Sequence, residues 1–275
     1  MIRPRNILPI LFQPAMAAAI LREITAPRTG KVQTRRILKA QDAVQLMCRT
    51  CGASEREIKA DQCRCGGNGN MQWTPCAVPR YRVNDVLYVR EPWRVGAKHD
   101  ATPPRDLPVD RGITTLFTAG GSRARGPLSG GEPGPYVCDA SWPVPGHMPM
   151  WAGKERRGMH LPRALSRITL AVTRVIVEPL NAIPEQDAID EGAVPVKIGA
   201  LPGVPDPIGY HHGQQLAPGM EAFVTARASY RHLWNGINGA GSWEANPWVA
   251  AYTFRPIHAN VDDILDEPTR YGFFA

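Results

Sequence analysis

The chain has 275 residues, 43% of them hydrophobic, with seven Trp and 21% charged side chains, a composition that excludes wholesale disorder. Gly and Pro fill 53 positions, well above the usual share of about 12%, which argues against a helical bundle and for strands, turns and long loops. The net charge is +7, and no run of 18 apolar residues occurs, which excludes a helical membrane span.

Arg3 and Arg5 precede the apolar run Ile7–Phe12, and Ala15-Met16-Ala17 resembles a leader cleavage site. Pro9 breaks that run and Pro14 opens an amphipathic segment, so a cytoplasmic protein is expected. Pro14 to Ile24 reads as a short helix, with Pro in its first turn and Met16, Ile20 and Ile24 on one face. Thr29 to Lys39 is a basic turn leading into Ile37-Leu38. Arg82 to Trp93 reads as a buried strand after the turn residues Asn84-Asp85. Residues 96–150 hold nine Gly and nine Pro without apolar periodicity, and are expected to be an irregular insertion.

Order resumes near Trp151. Ile168 to Val172 alternates, and Val175 and Val177 continue the pattern with a slip, as in a bulged strand. Pro184 to Glu191 reads as a short helix stopped by Gly192. Residues 195–218 read as a second Pro/Gly loop. Met220 to Ile237 reads as a helix with Phe223, Tyr230, Trp234 and Ile237 on one stripe. Trp248 to Phe254 is the last expected strand, and 256–275 reads as a surface tail. The expected class is α+β, most simply a small barrel with helices and two insertions.

Charge is unevenly distributed: +6 over residues 1–47, +4 over 151–178 and −6 over 179–275. A basic pole beside an acidic one suits a polyanionic partner, or serves only as a solubilising surface. Five of the six cysteines lie between positions 48 and 76. Cys48-Arg-Thr-Cys51-Gly52 has the tight turn of a zinc knuckle, in which two thiolates face one metal. Cys63-Arg-Cys65 is one residue short for a second knuckle, so Cys76 can replace Cys63 or Cys65. A structural zinc is expected on Cys48, Cys51, Cys63 and Cys65, with no organic cofactor. Cys138 stands apart.

Four stretches follow one another in an order that carries a resemblance. They are Lys31-Val-Gln-Thr34-Arg35-Arg36, Asp85-Val-Leu-Tyr-Val-Arg90-Glu91-Pro-Trp93, and His160-Leu-Pro162-Arg163-Ala-Leu-Ser166-Arg167 followed by Asp187-Ala-Ile-Asp-Glu191-Gly192. The fourth is Leu233-Trp234-Asn235 through Trp243 to Trp248. Over roughly half its length the chain resembles ASCH-domain proteins of the PUA-like superfamily, in the form encoded by phages and prophages. The resemblance implies a PUA-like β-barrel with a cleft flanked by helices and a role with RNA, nucleosides or nucleotides. That barrel would be discontinuous, over 1–45, 76–95 and 151–256. A Cys-rich zinc insertion at 46–78 and the Pro/Gly insertion at 96–150 would interrupt it, with a tail at 257–275.

One branch of ASCH proteins hydrolyses the amide of N4-acetylcytidine with a Lys, a Thr three residues later and a distant Glu. The resemblance places these on Lys31, Thr34 and Glu191. The branch's Gly two residues before the Lys is Thr29 here, with Gly30 displaced by one. A Thr hydroxyl needs a neighbouring base, a desolvated Lys can be one, and a carboxylic acid can protonate the leaving amine. Arg35, Arg36, Arg90, Glu91, His160, Arg163 and Arg167 are candidate contacts to nucleic acid or substrate, since Arg forks match phosphate. Trp93, Trp243 and Trp248 can stack on a base, although aromatics flanking strands are more often core. The alternative is a non-catalytic RNA-binding or protein-interaction module.

Overall fold

The computed structural model describes residues 5–38, 79–109, 112–126, 148–198, 208–212 and 222–271, and the backbone of 44–48 and 71–75. Its centre is a five-stranded sheet built from β1 (Ile7–Leu11), β2 (Gln33–Ile37), β5 (Val86–Arg90), β9 (Thr169–Pro179) and β12 (Trp248–Ile257). The order is β1-β5-β9-β12-β2, with β1 parallel to β5 and every other pair antiparallel. The slip in the β9 pattern is a bulge: Val172 pairs with Phe254 and Arg174 with Thr253, leaving Thr173 between them.

Helix α1 (Pro14–Thr25) packs Ile20 onto this sheet, where Ile10, Phe12, Leu87, Val89, Leu170, Tyr252 and Phe254 form the main core. The leader-like run is therefore β1 and α1 of the fold. Strand β12 is buried on both faces, with Ala250, Tyr252 and Phe254 in this core and Val249 in a second one. That second core joins helix α2 (Glu185–Asp190) to helix α3 (Ala226–Asn238) through Ala188, Ala226, Tyr230, Trp234 and Trp243. The architecture is α+β. Among the described residues the ladder ends at β1 on one side and β2 on the other, and no closed barrel is formed. Arg36 bridges the two edges, donating from Nη2 to the Leu11 carbonyl at 2.6 Å.

Several expectations are corrected. Part of 96–150 is regular: β7 (Ile113–Phe117) and β8 (Ser122–Arg125) join β6 (Trp93–Arg94), just before it, in a three-stranded sheet around Trp93, Ile113, Phe117, Leu161 and Leu165. All five β7 residues are buried, so no apolar alternation marks the strand. The loop expected at 195–218 contains the hairpin of β10 (Ala193–Lys197) and β11 (Ile208–His212). Helix α3 begins at Ala226, capped by the Thr225 side chain, and Phe223 instead bridges to Tyr210. Ile237, placed on its buried stripe, is half-exposed.

The expected surface tail folds as α4 (Val261–Asp266), with Val261 and Ile264 fully buried. Asn260 caps it and donates to the carbonyls of Arg163 and Ser166, each at 2.7 Å. In the Cys-rich stretch, β3 (Val44–Cys48) pairs antiparallel with β4 (Met71–Pro75). Of the proposed zinc ligands, Cys48 ends β3, while Cys51, Cys63, Cys65 and Cys76 lie outside the described residues. Cys138 also lies outside them.

Candidate active site

Lys31 reaches its place through a loop pinned against α1. Gly30 approaches the helix so closely that a Cβ would sit 2.3 Å from the Ala19 carbonyl and from the Glu23 amide. The Glu23 carboxylate accepts from the backbone N–H groups of Arg28 and Gly30, and the Lys31 N–H donates to Ala19 at 3.0 Å. Gly at 30 thus sets the entry to Lys31.

Glu191 ends α2, where Gly192 at φ +104° turns the chain away from the helix. A Cβ on Gly192 would lie 3.3 Å from the Lys31 Cβ, so this glycine also lets the two segments touch. The Val32 N–H donates to the Asp190 carbonyl at 2.9 Å and completes the junction.

The two side chains then meet. Lys31 is fully buried and Glu191 is 3% exposed. Lys31 Nζ donates to Glu191 Oε2 and, at 2.9 Å, to the Glu191 carbonyl. Glu191 Oε1 accepts from Arg35 Nη1 at 3.3 Å and from the Tyr230 hydroxyl at 3.4 Å. Arg35 is the clamp of the cluster. It also donates to Glu178 on β9 at 2.8 Å, to Asp187 on α2 at 2.6 Å, and to the neighbouring Gln33. One guanidinium therefore ties β2 to β9 and α2.

Arg35, Glu191 and Tyr230 open onto a cavity of about 120 Å³ walled also by Thr34, Arg36, Ile37 and α3, with Met16 of α1 at its side. That is several times the 10–15 Å³ or so that one water needs, and below the 300–1,000 Å³ typical of drug-sized ligands. The cavity suits one small group or ring rather than a bulky ligand. Burial pulls the Lys31 ammonium below its ordinary value, against the opposite pull of Glu191. Burial also pushes the Tyr230 phenol well above its ordinary value, with the Glu191 charge adding to it. Behind Tyr230 lies His212, whose Nδ1 is 2.8 Å from the Ser229 hydroxyl. Burial and then Lys31 lower its pKa to about 3.

Lys31 and Glu191 thus meet, and Thr34 lines the cavity beside Glu191 with Arg35 and Arg36. The remaining candidates sit elsewhere. Glu91 and Arg167 form a buried two-pronged ion pair at 2.9 Å, with Arg167 also 4.0 Å over the Phe117 ring. Arg163 pairs with Asp262 of α4. Trp93 is fully buried under Arg156, Trp243 packs edge-on to Tyr230, and Trp248 packs against the main core. Arg90 donates to the Met159 carbonyl and lines a separate, open groove with His160, Arg105, Pro103 and Pro104. Sequence reasoning missed Tyr230, Asp187 and Glu178 as site residues. Tyr230 was visible only as part of an apolar stripe with Trp234 four residues on.

Among the described residues, no group of three His, Cys, Asp or Glu could hold a metal ion, and no helix is long and apolar enough to cross a membrane. Comparison with protein-family profiles, curated proteins and solved structures found no match to this chain.

Proposed function

We propose that the chain is an ASCH-type protein with a discontinuous PUA-like barrel, and that its cavity hydrolyses the amide of an N4-acylated cytidine or a related modified nucleoside. The observation that carries this reading is convergence: Thr34 and Glu191 line one cavity, and Lys31, 160 positions before Glu191, is hydrogen-bonded to it. A proton passing from Lys31 to Glu191 gives an amine and a carboxylic acid, a neutral pair that burial favours. The amine takes the Thr34 proton as Oγ bonds to the acyl carbon and the carbonyl electron pair moves onto oxygen. Collapse breaks the C–N bond, and Glu191 protonates the departing nitrogen. Water then cleaves the acyl ester, releasing the carboxylic acid and restoring the Thr34 hydroxyl.

Incubation of the protein with N4-acetylcytidine tests this, with Lys31→Ala and Thr34→Ala as controls. Turnover by the parent and at least a hundredfold less by both variants is expected. Equal turnover by the variants refutes the mechanism.

The second reading is a non-catalytic RNA-binding module, favoured by the open groove lined by the exposed Arg105 and His160 and the half-buried Arg90, with no carboxylate in its wall. Its RNA affinity would fall steeply with salt, in proportion to the phosphates neutralised. Binding that ignores salt, or that survives charge reversal at Arg90 and Arg105, would favour a protein partner instead. A cytoplasmic location and a structural zinc on the 46–78 insertion belong to the same proposal.

A further inference from the structure

We infer that Tyr230 is a fourth functional group of this cavity, the phenol that donates to the oxyanion formed on the acyl carbonyl. The inference rests on the amide-hydrolysis reading above. Attack by Thr34 places a negative charge on the carbonyl oxygen, and an amidohydrolase needs a donor already aimed at that point.

Most donors in the wall are committed. Arg35 is held by Gln33, Glu178, Asp187 and Glu191. Lys31 donates twice to Glu191, and Arg36 donates to the Leu11 carbonyl while lying 5.1 Å over Phe12. The Asn238 amide donates to the Trp234 carbonyl. The Trp234 indole N–H has no partner among the described residues, but it is sealed from solvent.

Tyr230 differs from all of these. Among the described residues its hydroxyl has one partner, Glu191 Oε1, at 3.4 Å, well beyond the usual O–H···O range of about 2.5–3.0 Å. Such a donor can swing to a better acceptor at little cost. The ring itself is fixed by Trp234 at 6.1 Å, Trp243 at 6.2 Å and His212 at 5.9 Å, so the hydroxyl is preorganised. Burial keeps the phenol protonated, as a donor must be. Tyr230 gives up no proton in the reaction: it holds a hydrogen bond that is stronger to the oxyanion than to the ground-state carbonyl, which lowers the barrier without tightening substrate binding.

Tyr230→Phe removes one oxygen and keeps the ring packing. With N4-acetylcytidine as substrate, kcat should fall about 10²–10³-fold, the usual loss for one oxyanion donor, while KM changes less than about threefold. The unfolding temperature, read in parallel, should stay within a few degrees of the parent. A kcat equal to the parent's, or a KM rise with kcat unchanged, overturns this role and leaves the hydrolase reading standing. So does a kcat loss rescued by cooling in step with a lowered unfolding temperature, which marks a packing role only. A parent that fails to turn over the substrate refutes the hydrolase reading, and this inference with it.

Discussion

His212 should make the protein sensitive to acid in a window that can be calculated. Its ring is buried behind the active-site wall, and Lys31, His211, Arg22 and His232 all oppose a charge there. In the folded chain its pKa is about 3, against 6.5 for an unperturbed imidazole. Between those values the unfolded chain binds a proton that the folded chain refuses, so stability falls as pH drops below 6.5 and levels off near 3. Above 6.5 both states are neutral and the group contributes no slope. At pH 5 the penalty is about 2 kcal/mol, and its limit near pH 3 is about 5 kcal/mol. For a chain of this size 2 kcal/mol corresponds to roughly 4–8 °C in Tm. His212→Asn keeps a polar partner for Ser229 and removes the titration. Urea unfolding of parent and variant at pH 7.5 and 5.0 isolates the effect from the carboxylates common to both. The parent should lose about 2 kcal/mol more than the variant between the two pH values. Equal losses would show that the ring is protonated in the fold, and the argument would fall.

The Lys31–Glu191 pair should respond asymmetrically. Glu191→Gln strands a buried ammonium and should cost about 3–5 kcal/mol, whereas Lys31→Met leaves Glu191 with Arg35 and should change stability by no more than about 1 kcal/mol; chemical denaturation of both variants checks this. Gly30→Ala would place a methyl against two backbone atoms of α1, and a loss of about 1–3 kcal/mol with a displaced Lys31 is expected in thermal melts and turnover. Metal analysis of the purified chain should return about one zinc per molecule, and metal-free protein with reactive Cys48 and Cys51 would refute the knuckle.

The elements that were legible in the sequence are those with a one-sided pattern. Helix α1 shows its buried face at regular spacing, and the bulge in β9 shows as a slip in its alternation. Strand β7 was invisible because Thr114 and Thr115 are buried along with its apolar residues, which erases the period. Helix α4 has six residues, and its cap Asn260 depends on carbonyls almost a hundred positions away, which no local pattern encodes. The site divides in the same way. Lys31, Thr34 and Glu191 could be named from a motif order. The Arg35 clamp could not, because it exists only once β9, α2 and α3 are packed around β2.

The clamp also bears on why the site is charged at all. A buried ion pair is seldom more stabilising than well-packed apolar side chains of the same volume. Here three carboxylates gather around one guanidinium and one ammonium, with Lys31 fully buried, which is a costly way to join a strand to its neighbours. Glu178 and Asp187 more than neutralise Arg35, so Glu191 is not needed to balance it and can share a proton with Lys31. A purely structural junction has no need of that freedom, whereas a base and an acid that exchange one proton within a small cavity depend on it. If Lys31→Met holds its stability while turnover is lost, the charge at this junction serves chemistry rather than folding.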